Sequence, residues 1–217
     1  IDGYGEAAEH LERSVSILDI LVLLDPESRK LREDLYFTLV LLGRARSKAD
    51  DSSAAAVAAL LRAVNGYESE LGSRATDGEE RNRAAVALML LSGVYQSQGM
   101  DEEAVECCRR RVQLWRDAGA ARSTTRHHDS QLADASFELG RLLRELNRFE
   151  EAVTPLTLAG EIGVSLCEDD PSDGDAREAL TKTLMLLGMT LVQLDRHNEA
   201  MVELVRAKAL GQTAVEQ

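Results

Sequence analysis

Few residues in this 217-residue chain are of the kinds that do chemistry, and each group has a demand it must meet. His127-His128-Asp129 carries metal-ligand types. A metal site needs three or four donors converging at about 2.0–2.3 Å, whereas adjacent histidines in a loop point apart and no third ligand set can be picked out for them. A solvated turn, with Asp129 capping the next helix, accounts for the same residues. No metal and no cofactor are expected.

Cys107-Cys108 suggests a redox pair, but Cys108 falls at the packing position held elsewhere by Leu156 and Leu204, so burial as a small hydrophobe is expected. With Cys167 the cysteines number three. None has Cys-x-x-Cys spacing, and neither a disulfide framework nor a zinc site follows. The acidic run from Asp169 to Asp175 has the charge of a calcium loop. Counted from Asp169, however, Pro171 sits at a ligand position and Leu180 where a bidentate glutamate is required. An inter-repeat turn that also caps a helix is expected. Arg109-Arg110-Arg111 with Trp115 and Arg116 has the composition of a nucleic-acid contact, yet consecutive arginines wrap around a helix instead of forming one stripe. A phosphate-cradling Gly-rich loop followed by Lys, His-Glu-x-x-His and Gly-x-Ser-x-Gly are all absent from the sequence. A non-enzyme is therefore expected.

The formal charge of −13 opposes attraction to nucleic acid or anionic lipid. The apolar run Ile17 to Leu24 is broken by Asp19 and is far shorter than a membrane span needs. No stretch reads as a targeting signal. Together with the cysteine usage this points to a reducing cytoplasm, and 21 arginines against four lysines hint at a bacterial source.

The elements that carry these residues recur. Taking Ala152 as a marker, equivalents stand at Ala7, Ala56, Ala104 and Ala200, and a second marker, Gly140, has equivalents at Gly43, Ser92 and Gly188. Both series advance by 48 or 49 residues, the signature of a stacked repeat. Three prolines and 4% aromatics with abundant Ala, Leu, Glu and Arg favour helix throughout. The expected fold is all-α, an α-solenoid of antiparallel helix pairs with about nine helices. Residues 1–25 would be the second helix of a truncated repeat, followed by four pairs at 26–74, 75–122, 123–170 and 171–217. Breaks are expected near Asp25-Pro26, Asp50, Gly99, Asn147, Asp170-Pro171 and Asp195. The start at Ile1, inside a repeat, suggests a fragment of a longer protein. Ile17, Ile20 and Leu24 of the first helix should then form an uncovered apolar patch or meet another chain. The buried stripe of that helix is expected to run through Ala7, Leu11, Ser14, Leu18 and Leu21.

Leu139-Gly140 followed by Phe149-Glu150-Glu151-Ala152, and more loosely Leu187-Gly188 followed by His197-Asn198-Glu199-Ala200, resemble the tetratricopeptide repeat family, in a long bacterial variant. The resemblance spans nearly the whole chain. It implies a right-handed solenoid and a noncatalytic scaffold that binds a peptide or a neighbouring domain in a concave groove. The alternative is a regulatory or oligomerisation segment of a larger signalling protein or enzyme. The groove would be lined by the flank about 100° beyond the inward positions: Val40, Arg44, Met89, Phe137, Arg141, Arg144, Met185 and Met189. Apolar anchors beside arginines suit a partner that is acidic and amphipathic. Other domains of the parent chain are further expected partners, and the exposed terminal helix is an expected site of oligomerisation. The family's carboxylate clamp for chaperone tails is not expected, because Val40, Arg44, Leu90, Asp134 and Glu138 occupy its positions.

Overall fold

The computed structural model describes residues 3–49, 53–73, 78–121 and 125–213. Among them are nine helices and no strand: α1 (Gly3–Leu24), α2 (Arg29–Lys48), α3 (Ser53–Ser73), α4 (Gly78–Ser97), α5 (Asp101–Ala121), α6 (Arg126–Glu145), α7 (Phe149–Asp169), α8 (Gly174–Gln193) and α9 (His197–Thr213). Five of the six expected breaks fall between helices, and the sixth, Asp50, lies outside the described residues.

The stops have a common chemistry. Gly99, Asn147 and Asp195 all adopt positive φ, at 69°, 58° and 56°. The following amides, of Met100, Arg148 and Arg196, each donate to a carbonyl five residues back, at Tyr95, Leu143 and Leu191. This left-handed closure satisfies carbonyls that the ending helix leaves open. Asp173 caps α8 by accepting from the Ala176 amide at 2.9 Å, so the acidic loop is the capping turn its sequence implied. The cap of α6 is different from expectation. Thr125 accepts from the His128 amide, while Asp129 lies 3.0 Å from His128 Nδ1.

The chain divides into two compact units, 1–114 and 115–217. In the first, α1 packs on α2, α2 on α3 and α3 on α4, and α2 also touches α4. In the second, α6 packs on α7, α7 on α8 and α8 on α9, and α6 also touches α8. Short turns between successive packed helices make each pair antiparallel.

Each pair closes on a missing side chain. A Cβ on Gly43, Gly140 or Gly188 would lie 2.4, 2.5 or 2.7 Å from the Cγ of Leu60, Leu156 or Leu204, distances no pair of carbons tolerates. Glycine lets the leucine reach the backbone of the facing helix. At the fourth such crossing the pair is Ser92 and Cys108. The shorter thiol leaves room for a hydroxyl, which donates to the Ala104 carbonyl at 3.1 Å and lies 3.3 Å from Cys108 Sγ. Cys108 is only half-buried, and its neighbour Cys107 is the buried thiol. Burial pushes Cys107 up to about 12, which keeps it protonated and unreactive at neutral pH.

The register of α1 differs from its expected one. Ala8, not Ala7, is fully buried, and it joins Ala56, Ala104, Ala152 and Ala200, all at most 1% exposed. Val15 is the second buried residue of α1, whereas Ser14 and Leu21 of the expected stripe are exposed. Helical spacing allows stripes one residue apart, and only the neighbour's position chooses between them. Ile17, Ile20 and Leu24 are exposed as expected, together with Leu23. Ion pairs to Arg46 and Arg62 hold the polar residues Glu12 and Asp19 of α1.

Candidate partner-binding trough

In the second unit, residues of α6, α7 and α8 line a trough of about 700 Å³, within the range of ligand-binding clefts. Its floor is small because α7 must let α8 approach: a Cβ on Gly163 would stand 3.1 Å from Leu180 Cδ1. Ala159 and Leu166 complete that floor, Ala133, Asp134 and Phe137 form the α6 wall, and Asp175, Ala176 and Ala179 the α8 wall. These wall residues recur at three and four residues, the spacing that puts them on one helix face.

The lining is acidic. Asp134, Glu138, Asp173, Asp175 and Glu178 face it, against Arg126 and Lys182. Both cations are engaged at the rim: Arg126 with Asp173 and, at 2.9 Å, the Leu166 carbonyl, Lys182 with Glu178 at 2.5 Å. The bond from the Ala176 amide, and then Arg126, holds the Asp173 carboxyl below its ordinary value, so it stays ionised.

The corresponding triplet of the first unit is α2, α3 and α4. Aligned on Gly43 with Gly140, Ala56 with Ala152 and Ser92 with Gly188, the trough residues Ala133, Gly163, Ala176 and Ala179 match Tyr36, Tyr67, Glu80 and Arg83. There the space is filled. Tyr67 is fully buried and stacks edge-on with Tyr36, ring centroids 5.4 Å apart. Burial pushes its hydroxyl up to about 12. Arg83 lies over the Phe37 ring at 5.6 Å, and Arg29 reaches the buried Glu80 at 2.9 Å. The counterpart of Arg29 is Arg126, which turns to Asp173 because Ala176 offers no carboxylate.

Of the flank residues expected from sequence, Phe137 lines the trough. Met185 and Met189 are exposed and follow Lys182 at three and seven residues on α8, so helical spacing carries that wall on to them. Arg141 continues the α6 wall, but Glu138 and Glu145 hold its guanidinium at 2.7 and 2.5 Å. Arg144 is half-buried. In the first unit Arg44 and Met89 are exposed, and Val40 is a correction: at 7% exposure it belongs to the core. Met89 and Met185 are each nearly half exposed, so they are not filler between helices. Ala133, Gly163 and Ala179 were missed, because small residues carry no signal until they are set against Tyr36, Tyr67 and Arg83.

The other sequence candidates resolve individually. His128 is buried, its Nε2 2.5 Å from the Trp115 carbonyl and its ring edge-on to Trp115, whereas Thr125, Arg126 and His127 before it are exposed. Among the described residues no group of three or more metal-ligating side chains converges, and no helix is long and apolar enough to cross a membrane. Arg110 pairs with Glu68 at 2.7 Å.

Helix pairs closed by a Gly–Leu crossing and a left-handed stop define a helical-repeat protein with the tetratricopeptide-like fold. Solved structures agree with that class. The chain is similar to a repeat protein of Podosopora anserina with nearly identical TPR-like repeats, at 18% identity and a TM-score of 0.59, covering 98% of this chain and 95% of that one. It is similar to BtubC from P. vanneervenii at 17% identity and a TM-score of 0.52, covering 100% and 94%. It is also similar to the apo form of RapI at 15% identity and a TM-score of 0.59, covering 95% of this chain and 66% of that one. No family profile and no curated protein matches the sequence.

Proposed function

We propose that this chain is a noncatalytic scaffold that recognises a protein partner on the faces of α2, α4, α6 and α8. The observation that carries the reading is the trough between α6 and α8, a concave site walled by two helices and floored by a third. Met185 and Met189 on its extension, and Arg44 with Met89 on the corresponding helices of the first unit, are the proposed contacts. Exposed methionines adapt to irregular apolar surfaces. A photo-crosslinking residue at Met89 or Met185 is expected to trap a partner in the producing cell, and the same residue at Glu161 of α7 is not. Equal trapping at all three positions, or at none, overturns the reading.

A second reading, a regulatory or oligomerisation segment, is favoured by α1. Ile17, Ile20, Leu23 and Leu24 are each more than half exposed, and a contiguous apolar face of this kind marks a contact surface. Light scattering of the wild type and of Ile20→Asp separates the two: only an association surface on α1 makes the mass depend on that residue.

A further inference from the structure

We infer that the α2–α4 face of the first unit docks an amphipathic helix of a partner protein, which brings an apolar stripe to Phe37, Val86 and Met89, a leucine onto Gly93 and one carboxylate to Arg44. The inference rests on the scaffold reading above and adds the shape and charge of the partner.

Three observations carry it. The first is an apolar face: Phe37, Val86 and Met89 are each more than a third exposed, and Leu41 and Leu90 are half-buried. α2 and α4 run parallel, since each packs antiparallel on α3, and Arg83 over the Phe37 ring sets their register. Seven residues on along both helices, that register brings Arg44 level with Leu90. The second is a missing side chain. Gly93 lies in the interior of α4, where glycine weakens a helix, and a Cβ on it would meet nothing within 4 Å. Gly43, Gly140 and Gly188 show what a bare position on these helices takes, because each receives a leucine from a facing helix. Among the described residues Gly93 has no such leucine from its own chain. The third is charge. Arg141, at the equivalent position on α6, is held by Glu138 and Glu145 at 2.7 and 2.5 Å. The corresponding neighbours of Arg44 are Leu41 and Lys48, and no described residue gives its guanidinium a carboxylate. Once a docked helix excludes water, a carboxylate facing Arg44 is held more strongly than in solvent. The net charge of −13 repels a strongly acidic chain at long range, so the fit is to a single carboxylate within an apolar stripe.

The test uses the whole chain and fluorescein-labelled helical peptides of Ala and Gln, with leucines three and four residues apart on one face and Glu, Gln or Lys at the end of that stripe, read by fluorescence polarisation. The Glu peptide is expected to bind about tenfold more tightly than the other two, and Arg44→Glu to turn the preference to the Lys peptide. Gly93→Gln is expected to abolish binding without lowering Tm, since the added side chain enters open space and glutamine favours the helix. Ile20→Asp, on the apolar face of α1, is expected to leave binding unchanged. If no peptide binds, if the three bind alike, if Gly93→Gln binds as before or if Ile20→Asp removes binding, the inference fails. The scaffold reading is decided separately by crosslinking at Met89: a partner trapped there by a chain that shows no preference for the Glu peptide overturns the partner chemistry and keeps the scaffold.

Discussion

The α2–α3–α4 and α6–α7–α8 triplets share helix boundaries, crossing glycines and flanking alanines, yet one is filled and the other hollow. The difference lies in a few side chains. Tyr36, Tyr67, Glu80 and Arg83 knit the first triplet into a cluster of stacked rings and an ion pair from Arg29 to the buried Glu80, where Ala133, Ala176 and Ala179 line the trough of the second and Leu180 takes the space beside Gly163. The Gly–Leu crossings remain in both. A repeat thus separates its functions: the crossing positions hold the pair together, and the positions beside them are free to fill the groove or to open it.

If the first triplet is stabilised by its filling, emptying it has the largest effect. Tyr67→Ala is expected to cost about 3–5 kcal/mol in urea unfolding, the range for truncating a buried aromatic, because Tyr67 is fully buried against Tyr36. A loss below about 1 kcal/mol would mean that the ring adds little to the packing and that filled and hollow triplets are equivalent. Ala133→Tyr, the reverse change in the second triplet, is expected to alter stability by no more than about 0.5 kcal/mol.

The ion pair sharpens the contrast. Glu80→Gln is expected to cost about 1.5–3 kcal/mol, the range for a buried hydrogen bond to a charged group, with Arg29 retaining Glu33 at 2.5 Å on its exposed side. Double-mutant cycles with Arg29→Met measure the coupling directly.

A smaller effect separates the triplets by pH. The carboxyls of Asp170, bonded by the Ser172 hydroxyl and amide, and of Asp173, bonded by the Ala176 amide and paired with Arg126, are held below their ordinary value of 3.8. The stability they confer is therefore fully present above about pH 4 and is lost as pH falls through the lower folded values. Acid is expected to loosen the start of α8 in that window, seen as faster amide exchange at Ala176. Asp173→Asn is expected to flatten the response, and an unchanged acid profile in that variant would show that the cap does not govern it.

Much of this was legible in the sequence, for physical reasons that particular residues make plain. Asp25-Pro26, Gly99, Asn147 and Asp195 announce helix ends through backbone preferences that act locally, so α1, α4, α6 and α8 each end one or two residues before them. The markers Ala56, Ala104, Ala152 and Ala200 locate crossings because close backbone approach admits only small side chains. Tertiary packing alone decided what depends on a neighbour's position. It buried Ala8 instead of Ala7, turned Val40 into the core, and engaged Arg141 with Glu138 and Glu145. It also made a trough of Ala133, Gly163 and Ala179. A helix periodicity fixes faces only to within a residue, and an alanine or glycine reads the same in sequence whether a neighbour fills the space beside it or leaves it open.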